Sequence, residues 1–445
     1  MVSNLINNNF IKKYYLLLLL FFFVVSRLII HNFFQIEINN PNYGYHLLHV
    51  DLLKNDLLQS LFLLHSQPPL FNFIQGIFLK IFSNIQQIAL AFNFFNSFLS
   101  LGIIYYSFLI SNFFNINFKQ KLFLLLILIL NPSIIFYENL FSYHLLTTFL
   151  FFQISYFFFK YFFSKDEKYE IFIYLSFSLM CLTWAAFQPI LIFFFYVCFR
   201  CVDKIFSKKI FFYMTLSLLI GLSPHIKNKI IFGSFTSSTF SGTGFSTVFI
   251  NEWQEFCGHP LSKQNYYKEI YEKKYNKKFT HPSLVGPKAQ FNNIGLIYKS
   301  PKCFRLTINK INQEPYSYVK SRLLAFLASH GKFAFDFVYP NPSGWMKYYG
   351  FIKNAYQDKN IKLLRQILVF SLNMIIYAVM IYFIFFSNYN LNFKLSVFFI
   401  GLAYLYLFSV SFLLSCCEQE RMLFTGYIKQ VLFIIFLVKK YFKVV

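Results

Sequence analysis

The strongest constraint on this chain is a succession of apolar runs, several of which reach the roughly 20 residues that a helix needs to cross about 30 Å of hydrocarbon. They lie near 14–34, 69–83, 87–111, 121–137, 140–163, 170–198, 210–226, 361–387, 394–414 and 423–438. These runs predict an all-α polytopic membrane protein with about ten transmembrane helices. The 170–198 run holds Trp184 and Pro189 and reads as one kinked helix or two short ones. A content of 57% apolar and 13% charged residues, with a mean hydropathy of +0.50, excludes an ordinary soluble domain of this size.

Two polar stretches interrupt the pattern, a loop over 35–67 and a longer region over 227–360. They divide the chain into an N-terminal membrane module (1–226), an external mixed domain (227–360) and C-terminal membrane helices (361–445). The net charge of +24 would suggest nucleic acid for a soluble protein. Here Lys12 and Lys13, the cluster Arg200, Lys204, Lys208 and Lys209, and the terminal Lys439, Lys440 and Lys443 flank helices, so the positive-inside bias accounts for it and no nucleic acid is expected. Fixing these segments in the cytoplasm puts 35–67, 227–360 and 415–422 outside. The side on which Asn131 to His144 lies stays open, because two hairpins between 69 and 137 would leave Lys119 and Lys121 outside. The run 14–26 is short enough for a signal peptide, but no small-x-small site follows it, so a retained helix is expected. Neither Asn-x-Ser match, at Asn131 and Asn341, is an acceptor, because proline follows each. This leans towards a bacterial plasma membrane, with the endoplasmic reticulum membrane as the eukaryotic equivalent. Cys257 and Cys303 can form a disulfide in the external region; Cys198-x-x-Cys201 lacks the second pair that zinc needs.

Between Asp51 and Pro68, apolar residues at 53, 57, 58, 61, 62 and 64 describe one helical face, suited to lying in the interface with Lys54, Asp56 and Gln59 on the polar side. Asp51 either caps this helix or acts as a general base at the water–lipid boundary, where partial desolvation raises a carboxylate's pKa. His65 either bonds backbone or touches a phosphate. Pro68 and Pro69 then force an extended segment before a new helix. Glu138, in an apolar hairpin, needs a partner such as His144 or a function. Lys227 either snorkels to headgroups or binds phosphate, and Glu418 with Arg421 forms a salt bridge or a phosphate contact. Arg27 reads as a snorkelling residue. The run Gly233 to Gly244 lacks the Gly-Lys-Ser/Thr of a nucleotide loop and reads as a lid.

Five segments, in order over residues 45–421, resemble the GT-C superfamily of integral-membrane glycosyltransferases, which includes protein mannosyltransferases and aminoarabinose transferases. Tyr45 to Asp51 with His65-Ser-Gln-Pro-Pro-Leu70 is similar to that group's acidic first external loop. Asn131-Pro-Ser to Glu138 and Tyr143, Leu182 to Pro189, Lys227-Asn228 to Gly233 and Glu418-Gln-Glu-Arg421 resemble its later motifs. The group's first loop often carries adjacent Asp-Glu, whereas this chain has Asp51 and Asp56 apart, so either can match the base.

The resemblance implies transfer of a sugar from a polyprenyl-phosphate donor to a hydroxyl of a lipid, glycan or protein acceptor on the external side, with inversion. Asp51 or Asp56 would take the proton, and His65, Lys227, Asn228 and Arg421 would hold the donor phosphate. Glu138 and Glu418 are further site candidates. No metal or other cofactor is expected. The competing class is a transporter or flippase, which predicts matched internal repeats; none is visible in the sequence.

Overall fold

The computed structural model describes residues 17, 19–32, 48–203, 206–249, 257, 263–276, 278–330, 359–414 and 424–441. Among them the regular structure is helical, without strands, so the chain is an all-α membrane protein. The external region, expected to be mixed, is also helical where described: Ser241–Ser246, Gln264–Tyr275, Gly295–Gln313 and Pro315–His330.

Among the described residues five helices are long and apolar enough to cross a membrane: Ile85–Phe114, His144–Ser164, Lys208–Phe232, Gln366–Phe386 and Leu391–Val410. Phe118–Ile129 and Pro132–Glu138 make a sixth if counted as one span bent by 49°. Among the described residues this does not confirm the expected ten, and two of the predicted runs show physical reasons. The first is length: Leu70–Ile81 has 12 residues and reaches only about 18 Å, too short to cross. The second is the break in the 170–198 run, which divides into Glu167–Thr183 and Ile190–Asp203. Pro189 has no N–H to give and disfavours helix at Gln188. The Tyr406 hydroxyl satisfies the opened backbone, accepting from the Gln188 N–H at 3.3 Å and donating to the Ala186 carbonyl at 2.8 Å. At the 49° bend Pro132 is again the interruption. The Asn131 side chain caps the new helix by accepting from Ser133 and Ile134, and its amide donates to the Tyr427 hydroxyl at 2.6 Å.

Polar contacts sort the helix ends into two groups. Lys439 donates to the Phe114 carbonyl and the Tyr389 hydroxyl, at 3.0 and 2.6 Å. Gln120 donates to the Val438 carbonyl. Phe113 stacks on Phe159, and the Lys165–Asp203 and Arg200–Glu170 pairs close the adjoining ends. This end carries a lysine and arginine excess, the feature expected of a cytoplasmic side, and it includes Lys121, the residue whose side the sequence left open. At the opposite end Phe71, just after the Pro68–Pro69 turn, packs on Phe141 and Tyr143. The Asn131 to His144 segment therefore shares an end with the first loop.

Arg27 does not snorkel. It forms a two-point pair with Glu138, Nε to Oε2 at 2.7 Å and Nη2 to Oε1 at 2.5 Å, and donates Nη1 to the Ile129 carbonyl. The Glu138 side chain is 1% exposed and that of Arg27 9%. The partner is Arg27 rather than His144, whose ring stacks on Tyr143 beside Trp184.

Cys257 and Cys303 form a disulfide in the region expected outside, whereas Cys198 and Cys201, at the lysine- and arginine-rich end, are free thiols. A bond in one compartment and thiols in the other fit an oxidising outside and a reducing inside. A membrane-impermeant maleimide should therefore leave the exposed Cys201 of intact cells unlabelled and modify it after permeabilisation; labelling from outside would invert the topology. Glu138→Ala should destabilise the detergent-solubilised protein by about 3–5 kcal/mol by stranding the Arg27 charge. Arg27→Met combined with Glu138→Leu should recover most of that loss in thermal unfolding.

Candidate functional site

The acidic first loop folds as two short helices, Val50–Asn55 and Leu57–Phe62, rather than one. The break is Asp56, whose backbone (φ −142°, ψ 57°) leaves the helical region. The N-cap is His49, whose ring accepts from the Asp51 N–H at 3.3 Å, so Asp51 is not the cap but a first-turn residue. Its carboxylate is 51% exposed and lies 2.7 Å from the Lys288 ammonium. The Lys288 hydrogen bond holds the carboxyl below the usual range. Asp56 Oδ2 accepts from His281 Nε2 at 2.8 Å. The other ring nitrogen, Nδ1, lies 2.6 Å from the Ser283 hydroxyl and 3.2 Å from the Ser283 N–H.

Beyond the second helix the chain turns through Ser66 and Gln67 to Pro69, and groups from distant segments satisfy its peptide groups. Asn292, 2% exposed, accepts from the His65 and Ser66 N–H groups at 2.8 and 3.1 Å and donates to the Leu63 and Ser283 carbonyls at 3.2 and 2.9 Å. The Lys227 ammonium donates to the Leu64 carbonyl. The Thr239 N–H donates to the His65 carbonyl at 2.9 Å, and the Ser238 hydroxyl to the Ser66 carbonyl. His65 itself is fully buried, its Nδ1 2.6 Å from the Thr239 hydroxyl and its ring edge-on to Phe232.

Lys227 and Asn228 do not open the external domain. The helix continues through them to Phe232 and ends at Gly233, whose φ of +74° provides the left-handed cap that a side chain would strain. Asn228 donates to the Thr236 carbonyl at 2.8 Å and so shapes the turn that follows. The glycine-rich run is not a free lid. It holds the Ser241–Ser246 helix, and the Gly242 N–H donates to the Ser300 hydroxyl at 2.9 Å, an approach that a β-carbon would obstruct.

Of the residues singled out from sequence, the structure brings His65 and Lys227 together on either side of the Leu64 carbonyl, with Asn228 next in the helix. It holds Asp51 and Asp56 against one segment, 281–288, of the external region. Glu138 is in the ion pair with Arg27. Glu418 and Arg421 lie outside the described residues. Sequence reading missed His281, Lys288 and Asn292, which occur in a polar stretch without periodicity and carry no local signal. It also missed Lys429, whose signal was present: a lysine inside an apolar helix. Lys429 is 1% exposed and donates to the Tyr377 and Tyr404 hydroxyls at 3.0 and 2.7 Å, behind an apolar cavity of about 540 Å³ between the Lys359–Ile381 and Leu391–Leu414 helices. Compared with protein-family models, curated proteins and solved structures, the chain has no match.

Burial, and after it the nearby Lys227 charge, push the His65 imidazole down from its ordinary 6.5 to about 3. Between these values the unfolded chain binds a proton that the folded chain excludes. The contribution is complete above pH 6.5 and is lost as pH falls towards 3. Replacing His65 by Asn should flatten the acid-side fall in stability, by at most about 1.4 kcal/mol per pH unit. Unfolding midpoints of parent and variant that decline in parallel from pH 6.5 to 4 would contradict it.

Proposed function

We propose that the chain is a multi-pass glycosyltransferase, like the GT-C enzymes its motifs resemble, and that it moves a sugar from a polyprenyl-phosphate donor to an acceptor hydroxyl on the external side. The observation that carries this reading is the first loop. It presents a half-exposed, ionised carboxylate, Asp51, on a short helix at the outer end of the bundle, and the buried Lys227, His65 and Asn292 contacts brace the turn behind it. A base works only when held within hydrogen-bond reach of the proton it removes. In the proposed step Asp51 takes the acceptor proton, the acceptor oxygen bonds to the sugar's anomeric carbon from the face opposite the phosphate, and the carbon–oxygen bond to the phosphate breaks with inversion. Polyprenyl phosphate leaves with the electron pair. Lys227 carries three N–H groups, of which, among the described residues, one donates to the Leu64 carbonyl, and the others would serve the departing phosphate.

A transporter reading draws on the two helix breaks, at Asn131 and at Trp184 to Pro189, since broken helices form transport sites. Both breaks belong to the N-terminal half, whereas the transporter folds built on repeats match such breaks between halves.

Asp51→Asn should lower transfer from a polyprenyl-phosphate sugar by about a hundredfold or more while donor binding persists. Loss in Asp56→Asn and not in Asp51→Asn would move the base to Asp56. Full activity in both, or no transfer by the parent beside solute uptake into proteoliposomes, would favour the transporter.

A further inference from the structure

Two cavities meet on the external region, sharing Ser234, Ile297, Pro301 and Arg305 in their walls. The larger, about 570 Å³, lies between the Gln264–Tyr275 and Gly295–Gln313 helices. Tyr271, Lys274 and Tyr275 reach it from the first helix at i, i+3 and i+4, and Tyr298, Lys302 and Arg305 from the second at i, i+4 and i+7, so each helix turns one face of mixed rings and cations towards it. The smaller, about 200 Å³, is lined by hydroxyls, among them Ser234, Thr236, Ser241 and Ser300. Among the described residues no carboxylate lines either cavity. Among the described residues neither Lys274, Lys302 nor Arg305 has a carboxylate partner, although Lys268 and Lys310 on the same two helices do. The Lys274 ammonium instead stands 5.3 Å from the Tyr275 ring centre and 6.0 Å from that of Tyr298, bridging the helices.

We propose that this double cavity binds an anionic carbohydrate, a sugar ring bearing a phosphate, on the external face. Three cations without counter-charges around a concave wall select an anion, and arginine adds a two-pronged match to phosphate oxygens. The tyrosine rings offer flat faces with negative potential to the polarised C–H groups of a pyranose, and the hydroxyl-lined annex suits its ring hydroxyls. The volume falls within the roughly 300–1,000 Å³ of small-molecule sites. Ser238 and Thr239, in the wall of the annex, are the residues that brace Ser66 and His65, so an occupant would lie one side chain from the first loop. The site stands independently of any role for Asp51, because its test is binding rather than transfer.

The test is calorimetric titration of the purified full chain in detergent with glucose 6-phosphate, glucose and inorganic phosphate, and of the chain in nanodiscs with and without phosphatidylinositol. The expected result is that glucose 6-phosphate, or phosphatidylinositol if the sugar phosphate arrives as a lipid headgroup, binds, and glucose does not. Lys302→Gln with Arg305→Gln, and separately Tyr275→Ala, should each weaken binding by about tenfold or more, in line with the loss of charge-assisted and ring contacts. Lys268→Ala, away from the cavity, should bind as the parent does. Arg305→Lys, which keeps the charge, should retain part of the affinity, and unchanged unfolding midpoints would establish that the variants fold. Glucose binding as well as glucose 6-phosphate, inorganic phosphate alone matching it, no binding in either arm, or variants indistinguishable from the parent would each overturn the proposal.

Discussion

A turn that is buried at the edge of a membrane while lacking helical hydrogen bonds must find partners for its peptide groups elsewhere, and residues 63–66 are such a turn. An unsatisfied buried group costs about 1–3 kcal/mol, so a few left open together would consume much of a domain's stability. The solution is convergence of side chains remote in sequence: Asn292 bonds both sides of the turn, and Lys227, Ser238 and Thr239 take the remaining carbonyls. The position of the acidic helices, the path of the chain after Phe232 and the docking of the external helices all follow from that arrangement.

Inside the bundle the corresponding problem is charge. The Arg27–Glu138 pair closes on itself with two bonds, and the third Arg27 nitrogen meets the Ile129 carbonyl just before the helix bends at Pro132. One guanidinium thus neutralises a buried acid and satisfies backbone at an interrupted helix. Lys429 shows a different solution, in which two tyrosine hydroxyls rather than a carboxylate surround the cation. The two arrangements differ in kind: the first pairs opposite charges, while the second gives the lysine hydroxyl partners beside an apolar cavity.

Much of the helical framework was legible because apolar runs are long signals: the run 140–163 is the helix His144–Ser164, and 394–414 is contained in Leu391–Leu414. The errors came where local rules compete. The 69–83 run has the composition of a span but yields a 12-residue helix, because the helix starts only after Pro69 and the backbone becomes extended at Phe82. Glu138 was recognisable as needing a partner, but not which one, since nothing in a sequence brings position 27 to position 138. For the candidate site, the residue types were legible and their surroundings were not. Asp51 and Asp56 stood out as carboxylates of the first polar stretch, yet Lys288 and His281 beside them carry no periodicity and no motif. Lys227 looked like a free cation at a helix end, whereas one of its N–H groups is engaged by a backbone carbonyl that only the folded chain supplies.

The Asn292 clip joins positions 227 residues apart, and this has a consequence for biogenesis. The first loop leaves the ribosome long before its brace: at about 5–20 residues per second, the interval is of the order of ten to fifty seconds. For that time the Leu63 carbonyl and the His65 and Ser66 N–H groups lack the Asn292 side chain and bond water instead, so the loop must wait on the aqueous side of the interface while the intervening helices are inserted. Its seating is then a late event, set by arrival of the 281–292 segment rather than by membrane insertion of the helices on either side.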